Sequence, residues 1–359
     1  MSLCSSPSSN EIEISIFGNS FGESILIHLG NNEWIIVDSF KDYLNKRAIA
    51  LNYLDKIGVD YGAVKAAVAT HWHDDHICGL SEIMIKCKNA AFICSAAINS
   101  KEFNEFIFSD SDLIEGRPGN YELRQILEEL SKRKGNAMYA LENRKLIDNK
   151  LYKIYSLSPS DYAMLLAQKE IAVLLPKKNQ PRKGIPHVHP NHTGIVLLIV
   201  VNGQGILLGG DLEENGDSRT GWSKIIDSVR PVVKSNNFKI PHHGSITAHH
   251  EGIWISLLEK EPISFLTSFI LGSCALPKKA DMKRILSHTN NAWITTSPDE
   301  KKQVKRDPMA ERTIKERVKA IRAMSDNGHI RLRCPLGTKE WKPELFGPAL
   351  SLEECLAVK

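Results

Sequence analysis

The sequence predicts an α/β chain folded as a four-layer αββα sandwich with a helical insertion. Three observations point there. Short strands open the chain as a meander, helices and buried strands then alternate, and the same order restarts after about residue 190. Periodicity by itself does not separate this arrangement from a doubly wound sheet.

Glu11–Phe17 alternates apolar and polar residues with period two and reads as a strand. The turn Gly18–Glu23 leads to strands 24–29 and 34–38, joined at Gly30-Asn31-Asn32. Residues 43–57 carry Leu44, Leu51, Leu54 and Ile57 at helical spacing. Val64–Ala69 is an apolar strand, followed by a helix near 80–86 and a strand at 91–94. From Ser100 to Lys183 the pattern is helical and more polar, clearest at Leu123, Ile126, Leu127 and Leu130. We read about 100–185 as a helical insertion over the site. Strands 194–201 and 205–208 follow, and the Asn202-Gly203 dipeptide between them is a hairpin signal. A helix at 222–228, a short apolar stretch to Pro241, a helix at 253–260, a strand at 264–270, a helix at 278–286 and strands at 292–296 and 328–334 complete the reading. Residues 1–10 read as a flexible tail, about 299–325 as a charged insertion, and 336–359 as an extension beyond a domain of residues 11–335.

The chain has 359 residues and a formal net charge of +4. So mild a bias permits an anionic substrate without demanding one, and a nucleic-acid binder often carries more. The cysteines, Cys4, Cys78, Cys87, Cys94, Cys274, Cys334 and Cys355, are odd in number and form no C-x-x-C. They fit a reducing compartment better than a disulfide framework. The polar, Ser-rich start shows no signal peptide, and no apolar run approaches the ~18 residues of a membrane span. The expected location is the cytoplasm, with no membrane partner.

The chemistry concentrates in His71-Trp72-His73-Asp74-Asp75-His76, directly after the apolar strand. Imidazole and carboxylate together bind zinc, manganese or iron. A tight turn lets His71 and His73 converge on one ion while Asp75 and His76 serve a second. Ten of the thirteen histidines fall in three stretches, 71–76, 187–192 and 242–250. Gly209-Gly210-Asp211 ends another apolar strand in a carboxylate, so several strand ends carry ligand-type side chains.

The pattern H-x-H-x-D-H after a strand resembles the signature of the metallo-β-lactamase fold hydrolases. Gly210-Asp211 looks like that superfamily's G-D motif. Lys239-Ile-Pro-His-His-Gly-Ser245 looks like the H-H-G-S turn of its competence-protein (ComEC-like) branch. Gly18-Asn-Ser-Phe-Gly-Glu-Ser-Ile-Leu-Ile27, Trp34-Ile-Ile-Val-Asp38 and Asn191-His-Thr-Gly-Ile-Val-Leu-Leu198 resemble further segments of the same branch. The resemblance implies the αββα sandwich and two divalent ions, zinc first, with manganese and iron as alternatives. It implies His71, His73 and His192 on the first ion, Asp75, His76 and His243 on the second, and Asp211 between them. His189 is the alternative to His192, and His242 the alternative to His243. Asp75 and Asp211 take the catalytic roles, on a hydroxide held by the metals. Ser245 and His242 are candidates for substrate contact, and Asp38 for a hydrogen bond that steadies the metal loop, although a plain strand-end residue fits there as well. The implied reaction is hydrolysis of a phosphodiester, in nucleic acid or a small nucleotide. Hydrolysis of an ester, thioester or lactone is the alternative, and a metal-retaining regulatory module with little turnover is a third reading.

Overall fold

The structure is a computed structural model, and it describes residues 5–98, 118–133, 137–174, 190–298, 307, 309 and 326–357. His187 and His189, the 99–117 part of the expected insertion and most of 299–325 lie outside these residues.

Two eight-stranded sheets face each other. The first is built from β1 (Glu11–Gly18), β2 (Glu23–His28), β3 (Trp34–Val37), β4 (Val64–Ala69), β5 (Ala91–Ser95) and β6 (Met138–Ala140). The second contains β7 (Arg144–Asp148), β8 (Tyr152–Ser156), β9 (Leu197–Val201), β10 (Gln204–Leu208), β11 (Ser235–Lys239) and β12 (Leu258–Leu266). A small hairpin, β13 (Phe269–Leu271) and β14 (Cys274–Leu276), stands apart from both. β15 (Ala292–Ile294) and β18 (Leu350–Ser351) complete the second sheet, β16 (Gly328–Pro335) and β17 (Lys342–Phe346) the first. The orders are β17-β16-β1-β2-β3-β4-β5-β6 and β18-β15-β12-β11-β10-β9-β8-β7. In each, an antiparallel meander passes into a parallel run, at β3–β4 and at β10–β11. The repeated order read from the sequence is this duplication.

Side-chain alternation sorts residues into three apolar layers. Ile12, Ile14 and Ile16 of β1 face Ile195, Leu197 and Ile199 in the core between the sheets. The other face of the first sheet packs Trp34, Ile36 and Phe92 under helices Ile49–Ile57, Leu80–Lys86 and Pro118–Lys132. The second sheet buries Phe238 and Leu266 under helices Gly221–Ser228, Lys279–Leu286 and Leu352–Ala357. That is the expected αββα sandwich. Among the described residues no helix is long and apolar enough to cross a membrane.

Several segment readings need correction. The 100–185 stretch is not purely helical, because β6, β7 and β8 lie within it; β6 and β7 are edge strands of the two sheets, and β8 pairs between β7 and β9. Its helix Pro118–Lys132 sits on the histidine motif: Gly119 N donates to Asp74 Oδ1 at 2.8 Å, and Glu122 accepts from Ser81 N at 3.0 Å. Residues 336–359 are no appendage either, since β17 and β18 close an edge of each sheet. Residues 253–257 form one wide helical turn and β12 starts at Leu258, where a helix to 260 was expected. Ser5, assigned to a loose tail, bonds Arg333 through its hydroxyl at 3.2 Å.

The sheets close onto each other where β15 ends. Gly18 and Gly328 pair across β1 and β16, directly beside Thr295. A Cβ on Gly328 would stand 1.7 Å from the Thr295 carbonyl oxygen, backbone that cannot swing aside. Gly328→Ala is therefore expected to destabilise by at least ~2 kcal/mol through overpacking. Urea unfolding checks this; an unchanged midpoint would mean that the two strand ends part at no cost.

Candidate metal centre

The functional side chains gather at the carboxyl ends of the parallel strands, where an open α/β sheet leaves its crevice. β4 is buried along its length, apart from Lys65, and delivers Thr70 and His71 to that end. The chain then makes one helical turn, Asp74–Ile77, with His73 as its N-cap in extended backbone. That turn swings Asp75 and His76 inward, and both are buried. β10 ends at Gly209-Gly210, and Asp211 follows. Gly210 has φ +51°, and a Cβ there would lie 2.7 Å from the Ile195 carbonyl oxygen, so the bend that aims Asp211 needs glycine. β11 ends at Lys239, and Pro241 leads into His242, His243 and Gly244, with φ of 47°, 52° and 81°. Two consecutive non-glycine residues in the left-handed region cost about 1–2 kcal/mol each. Backbone strain of this kind gathers at functional sites.

These elements bring Asp75, His76, Asp211 and His243 together, with ligating atoms within 4.8 Å of one another. Asp211 is the hub. Its Oδ2 lies 3.4 Å from His76 Nε2, 3.5 Å from His243 Nε2 and 3.9 Å from His71 Nε2. Asp75 Oδ2 is 3.5 Å from both His76 Nε2 and His243 Nε2. All three Nε2 atoms are buried and have no hydrogen-bond partner among the described residues. Three unsatisfied imidazole nitrogens aimed at two carboxylates fit a bound cation, because buried polar atoms otherwise find partners.

The opposite ring nitrogens are all engaged. His76 Nδ1 and Asp38 Oδ2 lie 2.8 Å apart, Asp38 also accepts from Thr70 N at 2.8 Å and Thr70 Oγ1 at 2.7 Å, and His71 Nδ1 lies 3.0 Å from that hydroxyl. Asp38 thus links Thr70 and His76, the two ends of the turn that follows β4. His243 Nδ1 meets Thr267 Oγ1 at 2.9 Å, and its ring stacks on Phe269. Such partners orient imidazoles toward a metal.

Charge follows the same geometry. Burial alone would raise Asp211, but His76, His243 and Lys239 outweigh it and hold the carboxyl well below its ordinary value. Burial would lower His243, yet the Asp211 and Asp75 charges push it up to about 9. Against the same burial, Asp211, Asp75 and Asp38 raise His76 well above its usual value. Burial, with His76 and His73 beside it, drives His71 well down and keeps it neutral. The anionic centre thus collects cations, protons included.

His73 stands edge-on to His71, ring centroids 4.8 Å apart, at the rim of the cluster. His192 sits in the turn Pro190–Thr193 with its Nε2 3.8 Å from Glu213 Oε2, outside the tight group. His242 turns away from the cluster, its Nδ1 2.8 Å from Glu213 Oε1, which favours His243 of the two as the inward residue. Ser245 caps the following turn and accepts from Thr247 N at 3.3 Å.

Sequence reasoning passed over Lys239 and Glu23. Lys239 is fully buried, its Nζ forming an ion pair with Glu23 Oε1 at 2.8 Å and donating to Gly210 O at 2.8 Å and Asp211 Oδ1 at 3.4 Å. Glu23 also accepts from Thr267 Oγ1 at 2.6 Å, so one carboxylate supports the residues behind both Asp211 and His243. The available signal was a charged residue in each of two otherwise buried strands, β2 and β11.

Two eight-stranded sheets between helices, with a buried His/Asp cluster at the strand ends, make the αββα sandwich of the metallo-β-lactamase fold, and the cluster suits a two-metal site. Residues 18–134, which include the His71–His76 motif, match the family model described as the metallo-beta-lactamase superfamily. Similar solved structures include a HARLDQ-motif mutant of the metallo-beta-lactamase from Cronobacter sakazakii, at 11% identity over 63% of this chain and 75% of that one, with a TM-score of 0.34. A putative metallo-beta-lactamase from Thermotoga maritima is 16% identical over 62% of this chain and 87% of its own, at a TM-score of 0.31. MEM-A1, a subclass B3 metallo-beta-lactamase from a soil metagenome library, is 12% identical over 68% and 84%, at 0.35. No curated protein matches the chain.

Proposed function

We propose that the protein is a dinuclear metal-dependent hydrolase of phosphodiesters, in nucleic acid or a small nucleotide. The observation that carries the metal reading is the convergence of three unpartnered Nε2 atoms, on His71, His76 and His243, around Asp211 and Asp75. Asp75, His76 and His243 would hold one ion, and His71 and His73 the other. The third place on that second ion falls to the 187–192 stretch, which offers His192 and His189. Asp211 is shared. When bound, two divalent ions supply an activated water and neutralise charge on the leaving oxygen. The chain does the rest. Asp38 and Thr267 fix the His76 and His243 rings, Lys239, itself paired with Glu23, holds Asp211 in place, and Asp75 would orient the attacking water through its free oxygen. Support for a phosphodiester comes from the likeness of Lys239–Ser245 to the competence-protein turn.

Protein purified without chelator is expected to carry two transition-metal ions per chain, zinc foremost. Turnover of DNA, RNA or a cyclic dinucleotide should disappear with chelator and return with zinc or manganese. Elemental analysis that finds no metal overturns the proposal. Turnover of a thioester or lactone alone moves the substrate class and leaves the metal centre standing.

A further inference from the structure

A second group of metal-binding side chains lies where the loop after His243 meets the end of helix Lys279–Leu286. His249 Nε2 and His288 Nε2 each lie 3.5 Å from the same atom, Glu251 Oε2. The three ligating atoms are within 4.8 Å of one another. Tetrahedral zinc, with bonds of ~2.0–2.2 Å, places neighbouring ligand atoms about 3.3–3.6 Å apart. The carboxylate therefore already stands at a tetrahedral edge from each imidazole.

The two imidazoles are held in position. His288 stacks flat on Trp254, with centroids 4.5 Å apart and planes at 9°. The His249 and His288 side chains are 20% and 18% exposed, so both rings are largely covered. Glu251, 60% exposed, has room around its side chain to adjust to an ion. His250 is committed elsewhere, since its Nδ1 accepts from Gly252 N at 3.0 Å. The neighbouring cation, Arg284, is taken by Asp281 Oδ1 at 2.7 Å and by the Gly244 carbonyl at 2.6 Å.

We propose that His249, Glu251 and His288 form a separate divalent-metal site for zinc or a similar borderline ion, with a fourth position open to water. Two imidazoles and one carboxylate suit zinc, cobalt(II) and copper(II) and are poor ligands for calcium or magnesium. The ion clips the loop that follows His243 to the helix that already holds Gly244 through Arg284. It steadies the turn carrying His243 from outside the main cluster. The site stands on its own residues and does not depend on the substrate reading.

Trp254 supplies the readout, because a bound paramagnetic ion beside its stacked partner quenches indole fluorescence. Tag-free, full-length protein is first loaded with zinc, and the bound metal is counted after gel filtration. One equivalent beyond the main cluster is expected, and it should exchange for copper(II) with quenching. His288→Ala should lose both the extra equivalent and the quench. Glu251→Gln, at an exposed position that the fold does not need, should weaken binding at least ~10-fold. Trp254→Phe should keep the metal and lose the quench. Asp211→Asn, which disturbs only the main cluster, should keep the quench. The site is refuted if no additional equivalent binds, or if His288→Ala and Glu251→Gln both bind and quench like wild type.

Discussion

Asp211→Asn is expected to cut turnover at least ~100-fold and to empty one of the two metal positions, a larger loss than the 10–100-fold typical of supporting residues around a metal. The substitution keeps size and shape. It removes the one negative charge shared by His71, His76 and His243, whose Nε2 atoms stand 3.9, 3.4 and 3.5 Å from Asp211 Oδ2. Two cations held a few ångströms apart repel, and only a shared carboxylate offsets that repulsion locally. Asparagine also turns an NH2 group either toward the imidazoles or toward Lys239, and each orientation sets donor against donor. The strand before it, Gln204–Leu208, packs through Ile206 and Leu208 and is untouched, so the fold should persist. An ordinary exposed carboxylate at a strand end would change stability by no more than about 0.5 kcal/mol and leave metal and turnover alone. Metal stoichiometry and turnover belong in one experiment on wild type and variant. If neither changes, Asp211 is no shared ligand and the dinuclear mechanism goes with it.

Lys239→Met is expected to cost ~3–5 kcal/mol, the usual consequence of removing one partner of a buried ion pair. Burial works against the Lys239 charge, but Glu23 and Asp211 outweigh it and raise the amine above its ordinary value. Methionine fills the volume and leaves two buried carboxylates facing each other. Glu23→Gln in the same chain should recover a large part of the loss, because the coupled pair is then removed together. Zinc should restore part of the remainder by neutralising Asp211. Urea unfolding of the single and double variants, with and without zinc, reads both effects. A single variant within about 0.5 kcal/mol of wild type would make Lys239 a spectator.

What the sequence discloses follows from how local the signal is. The His71–His76 motif is contiguous, and Asp211 and His243 each follow an apolar strand, so strand-end logic finds them without any tertiary knowledge. Lys239 and Glu23 carry no such mark. They lie on different sheets, and only the packing of β2 against β11 shows that they neutralise each other. The edge strands were missed for a related reason. In β8, one strand in from the edge, Tyr152, Ile154 and Ser156 are buried while Lys153 is exposed, a period-two pattern, yet the run is only five residues long. β17, Lys342–Phe346, is partly exposed and carries Lys342, Pro343 and Glu344, as edge strands do when they avoid further pairing. His192 rested on the family resemblance and its spacing before Asp211, and the structure sets it beside Glu213. In the 187–192 stretch, His187 and His189 lie outside the described residues.

The pairing of β1 with β16 bears on how the chain is made. β1 is interior to its sheet, and along one side every residue from Glu11 to Gly18 pairs with one between Pro335 and Gly328. During synthesis that side of β1 stays an open edge until nearly the whole chain has left the ribosome. Contacts so distant in sequence make folding slow, and unpaired edges invite association with other chains. The same delay governs the metal centre, because the His71–His76 motif emerges long before Asp211 and His243. A nascent chain therefore shows an incomplete ligand set to the cell, and the full set of ligands exists only once the second sheet has formed.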